Sequence, residues 1–322
     1  MSPRSPLPPD YARPLRRETR AHDADEHARN LSQWDQRYDQ LSAGRFSGEV
    51  TELWLPKTQV FVERANQQLR QTCAAWPNSV WFGIPDMGDG LMAMGGKQLS
   101  ARAVCIRDGG AEFDLLTSPD FDLFGVVVDR ASLARHLDTT RHLDLDRLLQ
   151  QGDVRDLEPG RKEHLCRKLT NILADANQSD PDSATVDDLQ ERIFETLAGV
   201  LTSQDAQPAA INRTRLQHQQ IVDKVRRRVL DQPETPPSVA ELCAQLHISR
   251  RALQNCFEDT TGLAPLAYVR SLRLNQVRRQ LRSRTARSIS CIAYDWGFSH
   301  LSQFAQDYRR LFGELPSETL RS

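Results

Sequence analysis

Residues 238–259 read SVAELCAQLHISRRALQNCFED and have the pattern of two short helices joined by a tight turn. Ser238 followed three residues later by Glu241 is a capping-box pattern, which predicts the start of the first helix. Ser249 is placed to cap a second helix after the turn. Apolar side chains recur at helical spacing on the face to be buried: Val239, Leu242, Leu246, Leu253 and Phe257. This stretch therefore predicts a helix-turn-helix unit.

The outer face of the second helix carries side chains that suit DNA. Arginine pairs with guanine edges and with phosphates, whereas glutamine and asparagine pair with adenine edges. The candidate DNA contacts of this unit are Arg250, Arg251, Gln254 and Asn255.

Residues 288–312, SISCIAYDWGFSHLSQFAQDYRRLF, repeat the same plan about 50 residues later. Gly297 permits the turn, and Ser299 is predicted to cap the helix that follows it. The side chains on the outer face of that helix are the second set of candidate DNA contacts: His300, Ser302, Gln303 and Gln306.

A predicted helix over Leu266–Leu281 joins the two units and adds Arg270 and Arg273 as candidate DNA contacts. Residues 212–322 hold 18 Lys+Arg and 10 Asp+Glu, a net charge of +8, although the whole chain has a net charge of −1. Two tandem units in a basic segment indicate a double-stranded DNA partner. We expect the two outer helices to enter successive major grooves, about 34 Å apart.

These C-terminal residues resemble the AraC/XylS transcriptional regulators. The end of the family's motif is carried by Gly297-Phe298, by the pair Phe304 and Tyr308, and by Gly313 followed by Pro316. The family usually continues to an aromatic-arginine pair, where this chain has Glu318-Thr319-Leu320. The expected function is that of an activator of transcription, with RNA polymerase as a partner. The apolar stripe of a predicted helix over Val186–Ser203 is expected either to be buried within the chain or to form a homodimer contact.

The N-terminal part has a different texture. Residues 1–21 are rich in proline and arginine and are expected to be a disordered tail, and a helix is expected around Glu26–Leu41. Strands are predicted for VTELWL, QVFVER, SVWFGIP, ARAVCI, AEFDLLT and FDLFGVVV. Helices are predicted for Ser132–Leu137, Pro159–Asn177 and Val186–Ser203.

The fold class that follows is α+β with two domains. An antiparallel sandwich or barrel-like sensor with flanking helices would occupy residues 22–205, β-rich over 46–130 and helical over 131–205. A linker over 206–212 would lead to an all-α domain over 213–322 with two helix-turn-helix units. The sensor part has a net charge of −9 over residues 1–211, opposite to that of the C-terminal part.

Residues 31–55, 59–85 and 111–129 resemble the sensor half of regulators of ethanolamine-utilisation operons. That resemblance implies ethanolamine and adenosylcobalamin as effectors, and a different metabolite is the alternative. Aromatic side chains in or beside predicted strands are the candidate effector contacts: Trp54, Trp76 and Trp81. The sequence does not single out an effector site among them.

An enzyme with a β-rich catalytic domain is the other class of function. None of the eight histidines lies between Phe46 and Asp129, so a histidine-rich metal site in the sheet is not expected. No nucleophile-elbow, phosphate-loop or dinucleotide motif is present. We therefore expect a non-enzymatic, cytoplasmic protein without a catalytic cofactor or metal, and no apolar run long enough to cross a membrane.

Overall fold

The structure is a computed structural model that describes residues 15–86, 90–175, 183–203, 207–208, 212–283 and 287–321. Two antiparallel sheets and five helices form an N-terminal domain, and the helices from Arg213 onward form a C-terminal domain. Within these described ranges, no helix is long and apolar enough to cross a membrane. The first 14 residues of the predicted tail and most of the predicted linker lie outside the described residues.

The larger sheet has eight strands in the order β1-β3-β4-β11-β6-β9-β12-β13. In chain order they are β1 (Leu15–Ala21), β3 (Gly48–Leu55), β4 (Thr58–Ala65), β6 (Ser79–Asp86), β9 (Ala103–Asp108), β11 (Phe121–Asp129), β12 (Val154–Asp156) and β13 (Gln207–Pro208). The smaller sheet has the order β2-β5-β10-β7-β8. Its strands are β2 (Asp35–Gln40), β5 (Leu69–Ala74), β7 (Ala93–Met94), β8 (Lys97–Gln98) and β10 (Phe113–Leu116).

Twelve helices are described. Those of the N-terminal domain are α1 (Ala24–Asn30), α2 (Arg130–Arg141), α3 (Leu145–Leu149), α4 (Arg161–Asp175) and α5 (Ser183–Leu201). Those of the C-terminal domain are α6 (Arg213–Asp231), α7 (Val239–Leu246), α8 (Arg250–Thr261), α9 (Pro265–Arg282), α10 (Ile289–Asp295), α11 (Leu301–Phe312) and α12 (Pro316–Arg321).

The elements stack in four layers. One face of the larger sheet packs against helices α2–α5 in an apolar cluster that includes Val60, Phe82 and Ile193. Its other face packs against the smaller sheet, where Trp81 and Phe113 meet. The outer face of the smaller sheet lies against the C-terminal helices. The central strands are therefore buried on both faces, which explains their nearly continuous apolar sequences.

The six predicted strands are confirmed as parts of β3, β4, β6, β9, β10 and β11. The tail prediction is wrong for residues 15–21, because β1 pairs antiparallel with β3 along its whole length. Its alternating charged residues hid a strand that is held by backbone hydrogen bonds and by surface pairs such as Arg20 with Glu49.

The helix predicted around Glu26–Leu41 is wrong in its second half. Helix α1 ends at Asn30, Gln33 has a positive φ of 63°, and β2 follows. The sequence did not show β2 or β5, whose outward side chains Asp39 and Arg70 meet charged groups of the C-terminal domain. Their inward positions include the polar residues Gln36 and Gln71, which contact Cys73 between the sheets, so the apolar-polar alternation of a half-exposed strand is interrupted.

The helices predicted between residues 132 and 203 are confirmed as α2, α4 and α5, except that residues 176–177 lie outside the described part of the chain. The apolar stripe of α5 packs into the chain's own core: Val186, Leu189, Ile193, Leu197, Val200 and Leu201. That stripe is therefore not a surface on which a second copy could dock.

Two paired glycines make room for aromatic rings between the sheets. Gly125 of β11 lies opposite Gly83 of β6, and on its other side it lies opposite Phe61 of β4. A Cβ at Gly125 would lie 2.0 Å from Cζ of Phe61. By contrast, a Cβ at Gly199 in α5 would meet no atom within 4 Å.

Gly125 and Gly199 give opposite expectations for substitution by alanine. Gly125→Ala should lower the free energy of unfolding of the N-terminal domain by about 1–3 kcal/mol, because the Phe61 ring must move within a packed core. Gly199→Ala should raise it by roughly 0.5–1 kcal/mol, because alanine favours a helix interior. Urea denaturation followed by tryptophan fluorescence measures both. Equal effects of the two substitutions would contradict this account.

Candidate nucleic-acid interface

The first helix pair, α7 and α8, is built as its sequence indicates. The backbone N–H of Ser238 donates to Glu241 Oε2 at 2.7 Å, and that of Glu241 donates to Ser238 Oγ at 3.2 Å. The first of these bonds holds the pKa of the Glu241 carboxyl below its usual range. His247 takes the left-handed conformation that ends α7, and Ser249 accepts from the N–H of Ala252 to begin α8. Local capping thus fixes the angle between the two helices.

The second pair, α10 and α11, has the same order of elements but a different start to its second helix. Ser288 caps α10, and Gly297 has a φ of +69° in the turn. A Cβ at Gly297 would lie 2.7 Å from the carbonyl oxygen of Glu234, so the turn needs glycine. The prediction that Ser299 caps the next helix is wrong. The N-cap residue of α11 is His300, which makes no side-chain capping bond.

Helix α9 connects the two pairs and is mostly buried. Its first half packs in the core of the first pair with Leu253 and Phe257, and its second half packs in a separate core with Ile292 and Phe304. Its 18 residues give a length of about 27 Å at 1.5 Å per residue. The two helix pairs are therefore joined along one rigid rod.

Most of the predicted DNA contacts lie at the surface of the C-terminal domain, and they are exposed even though the N-terminal domain packs against it. The exposed ones are Arg250, Arg251, Asn255, Arg270, His300, Ser302, Gln303 and Gln306. Gln254 is half-buried, and its Nε2 donates to Glu258 Oε1 at 2.6 Å. Eight of these nine residues lie in or directly before the first two turns of α8 or α11, so each helix presents its N-terminal end.

Arg273 is the exception, because the structure buries it. Its side chain is only 8% exposed, its Nε donates to the carbonyl oxygen of Trp296 at 2.6 Å, and its guanidinium lies 4.0 Å from the centre of the Phe298 ring. Burial lowers its pKa to about 10. As placed, Arg273 cannot contact DNA, and it stabilises the turn between α10 and α11. The sequence did not reveal this, because helical spacing alone does not show what lies across from a side chain.

Two arginines in the second half of α9 bind the N-terminal domain, whereas Arg270 pairs with Asp307 of α11. Arg278 pairs with Asp23, and Arg279 pairs with Asp25 and Asp39, each at 2.8 Å. Arg226 of α6 also reaches Asp39, at 3.2 Å. Burial alone would raise the pKa of Asp39, but Arg279 and Arg226 outweigh it and hold the pKa below its usual range. Both sides of this junction are therefore charged although they lie in the interior.

A neutral contact completes this junction. The side-chain amide of Asn275 accepts from the backbone N–H of Gln40 at 3.0 Å and donates to the carbonyl of Gln40 at 2.9 Å. It thus occupies the hydrogen-bonding positions that a neighbouring strand would take beside β2. Sequence analysis singled out neither Asn275 nor the acidic partners of α9; the available signal was the acidic run Asp23-Ala24-Asp25-Glu26 beside an arginine-rich helix.

The three candidate effector tryptophans are core residues. Trp54, Trp76 and Trp81 are each 2% exposed or less and lie in the apolar cluster between the sheets. Trp54 Nε1 donates to Ser32 Oγ at 2.8 Å and to Glu52 Oε1 at 2.9 Å. Their indole rings are therefore not open to a ligand in this conformation.

One group within the described residues brings a histidine and two carboxylates to within 4.8 Å of one another: His136, Glu191 and Glu195. Glu191 lies 3.5 Å from Nδ1 of His136, whereas Glu195 lies 3.3 Å from Nε2. The two carboxylates thus face different ring nitrogens, and Arg141 already pairs with Glu195 at 2.6 Å. This is the arrangement of an ion-pair network between α2 and α5 rather than of ligands around one metal ion.

Comparison with known proteins concerns the C-terminal part of the chain. Residues 242–322 match the family model described as "Helix-turn-helix domain". The "XylDLEGF operon transcriptional activator" of Pseudomonas putida is 45% identical over 86 residues, which are 26% of this chain and 27% of that protein. The "Probable thc operon regulatory protein" of Rhodococcus erythropolis is 32% identical over 91 residues, 28% of this chain and 27% of that protein.

Among solved structures, "a probable AraC family transcriptional regulator from Rhodopseudomonas palustris CGA009" is 33% identical. The match covers 32% of this chain and 95% of that one, with a TM-score of 0.30. The chain spans about a quarter of the length of the two curated relatives described above. Each of these three matches covers less than a third of this chain.

The junction between the domains can be tested at Asp39. Asp39→Asn should weaken the docking of the two domains by about 3 kcal/mol, because it removes the charge that faces two buried guanidinium groups. Amide hydrogen exchange should become faster in residues 35–40 and 275–282. Asp35→Asn, on the same strand but exposed, is the matched control and should leave exchange unchanged. Equal exchange in wild type and Asp39→Asn would show that the ion pairs do not hold the domains together.

Proposed function

We propose that this chain is a sequence-specific, DNA-binding activator of transcription of the AraC/XylS type, and the match of residues 242–322 to the helix-turn-helix family model supports this. The observation that carries the proposal is the exposed N-terminal halves of α8 and α11, which remain exposed while the N-terminal domain is docked. The net charge of +8 in residues 212–322 supports attraction to a polyanion. The identity of 45% to a transcriptional activator over this segment supports the direction of regulation.

Each unit would place its second helix in the major groove, with both on one face of the DNA. In α8, Arg251 and Gln254 are the proposed base readers, and Arg250 and Asn255 lie beside them. In α11, the proposed readers are Ser302, Gln303 and Gln306, with His300 at the start of the helix. This second helix has no arginine in its first turns, so it should discriminate less strongly among base pairs than α8.

The proposal is tested by substitution of the strongest base reader. Arg251→Ala should weaken binding to the preferred site by about 1–3 kcal/mol and relax the preference at one base position. Arg167→Ala, an exposed arginine of α4 in the other domain, is the control and should change neither. Selection from randomised DNA followed by titration gives both quantities. Uniform weakening on all sequences would make Arg251 a phosphate contact instead.

The N-terminal domain is proposed to sense a small molecule and thereby change how the C-terminal domain engages DNA. The ion pairs of Arg278 and Arg279 support this, because an effector that alters β2 or α1 would act directly on α9. An effector shifts such a balance only through its different affinities for the two states, and about 1–3 kcal/mol is typical.

The proposed effectors are ethanolamine and adenosylcobalamin, with another metabolite as the alternative. A cleft of about 280 Å³ between the smaller sheet and α6 supports a small polar ligand. Asp35 and Glu112 are exposed at this cleft and could receive an ammonium group, and Asp114 lies deeper beside Arg70. A corrinoid is far larger than this volume, so it would have to bind elsewhere on the chain.

The expected partners besides DNA are RNA polymerase, which activation requires, and a second copy of the chain. A dimer would have to use a surface other than the apolar stripe of α5, because that stripe is buried within the chain. The proposal for DNA binding does not depend on either partner.

The effector proposal predicts the response of a transcription reporter. Full-length protein should activate transcription most when ethanolamine and adenosylcobalamin are both present. Glu112→Gln should raise the ethanolamine concentration needed for half activation roughly tenfold or more, because a charge-assisted hydrogen bond is lost. Glu163→Gln, an exposed residue of α4, is the control and should respond as wild type does. A response to another metabolite, but to neither compound, would leave the regulator proposal standing and remove the effector.

A further inference from the structure

Both outer helices of the C-terminal domain end against the N-terminal domain. Gln68 Nε2 donates to the carbonyl oxygen of Thr261, the last residue of α8, at 3.2 Å. The carbonyl oxygen of Leu311, in the last turn of α11, accepts from Gln40 Nε2 at 2.7 Å and from the backbone N–H of Gly44 at 3.0 Å. Carbonyl groups at a helix end have no partner within the helix, so donors from outside fix that end.

The donors belong to one braced piece of backbone, residues 40–45 with 67–68, which we call the bracket. Within it, Leu41 N–H donates to the carbonyl of Gln68 at 2.9 Å, and Gln68 N–H donates to Ser42 Oγ at 2.7 Å. Gln40 Nε2 also donates to the carbonyl oxygens of Ser42 and Gly44. The points that hold α8 and α11 therefore cannot move independently of each other.

The bracket approaches the end of α11 closely. Gly313 ends this helix with a φ of +72°, and a Cβ there would lie 2.5 Å from Cγ of Arg45. Gln40 is also bound through its backbone to Asn275, near the middle of α9. The bracket thus contacts α8, α9 and α11 together.

The helix pairs have separate apolar cores that share α9. A single helix between the two helix pairs fixes the distance between them. It resists twisting and bending less well than two connections would. The bracket supplies that second connection. Each outer helix has 12 residues, about 18 Å, so a small rotation at the held end displaces the opposite, DNA-facing end.

We propose that the bracket sets the separation and relative orientation of α8 and α11, and so determines which spacing of two DNA half-sites the protein accepts. This inference rests on the proposed function, because it concerns the same two helices. It gives the N-terminal domain a part in specificity although none of the bracket residues touches DNA. Gln40, Arg45 and Gln68 are positioning residues in this sense.

The test uses full-length protein and a DNA site obtained by selection with the wild type. The two half-sites are then moved apart or together by one and two base pairs, and affinities are measured by titration. One inserted base pair changes the separation by about 3.4 Å and the rotation by roughly 35°. Wild type should lose at least about tenfold in affinity on such an insertion.

The variant Gln68→Ala/Arg45→Ala removes the hydrogen bond from Gln68 to Thr261 and the bond that Arg45 Nε donates to the carbonyl oxygen of Gly313 at 3.4 Å. Both side chains are half-buried or exposed, so folding should be preserved. It should tolerate the same insertion with a loss of no more than about threefold, while keeping its preference for each half-site. Gln40→Leu, which removes the buried donor to Leu311, should act in the same direction. Circular dichroism checks that each variant is folded.

Two controls separate spacing from affinity. Gln151→Ala changes an exposed glutamine after α3 and should keep the wild-type profile. Arg251→Ala should weaken binding at every spacing without broadening the profile. A double variant that is folded and retains the full wild-type penalty would overturn the inference. A wild-type selection that enriches no sequence would instead overturn the proposed function, and this inference with it.

Discussion

Two arginine side chains of α9 lie in a buried environment that by itself disfavours a charged group. Arg278 and Arg279 are held there by Asp23, Asp25 and Asp39, and burial, which would lower the pKa of each guanidinium, is outweighed by these carboxylates. A buried charge that loses its partner is strongly destabilising. Helix α9, which joins the two helix pairs, therefore needs the acidic side chains that the other domain presents to it.

The same requirement shapes the smaller sheet. Its outer face must present polar groups to the C-terminal helices, so Arg70 of β5 bonds to Asp223 at 2.9 Å and to the hydroxyl of Tyr268 at 2.7 Å. Asp39 of β2 does the same with Arg226 and Arg279. The larger sheet is covered by apolar layers on both sides, so its central strands do not need polar side chains on either face. Two sheets of one domain thus obey different sequence patterns because they have different neighbours.

This difference decides what could be predicted from the sequence. The helix pairs were predictable because their signals are local: a capping box at Ser238, a glycine at the turn, and apolar residues at helical spacing. The apolar strands of the larger sheet were predictable for the same reason. Strands β1, β2 and β5, and the burial of Arg273, depend on partners far away in the chain. Local patterning cannot show them, and the same holds for the acidic partners of α9.

Apart from the apolar contact of Leu41, Ala93 and Leu116 with the C-terminal helices, the junction consists of ion pairs and side-chain amides, which suits the proposed response of the N-terminal domain to a ligand. An apolar interface of equal area would stabilise the docked domains roughly in proportion to the area buried, and the domains would stay docked. Ion pairs gain little net free energy, because the cost of removing their charges from water nearly offsets their attraction. Their geometry is nevertheless strict, so they fix the position of α9 without making its docking irreversible. A ligand that contributes only a few kcal/mol can then change the docked geometry, and with it the orientation of both outer helices.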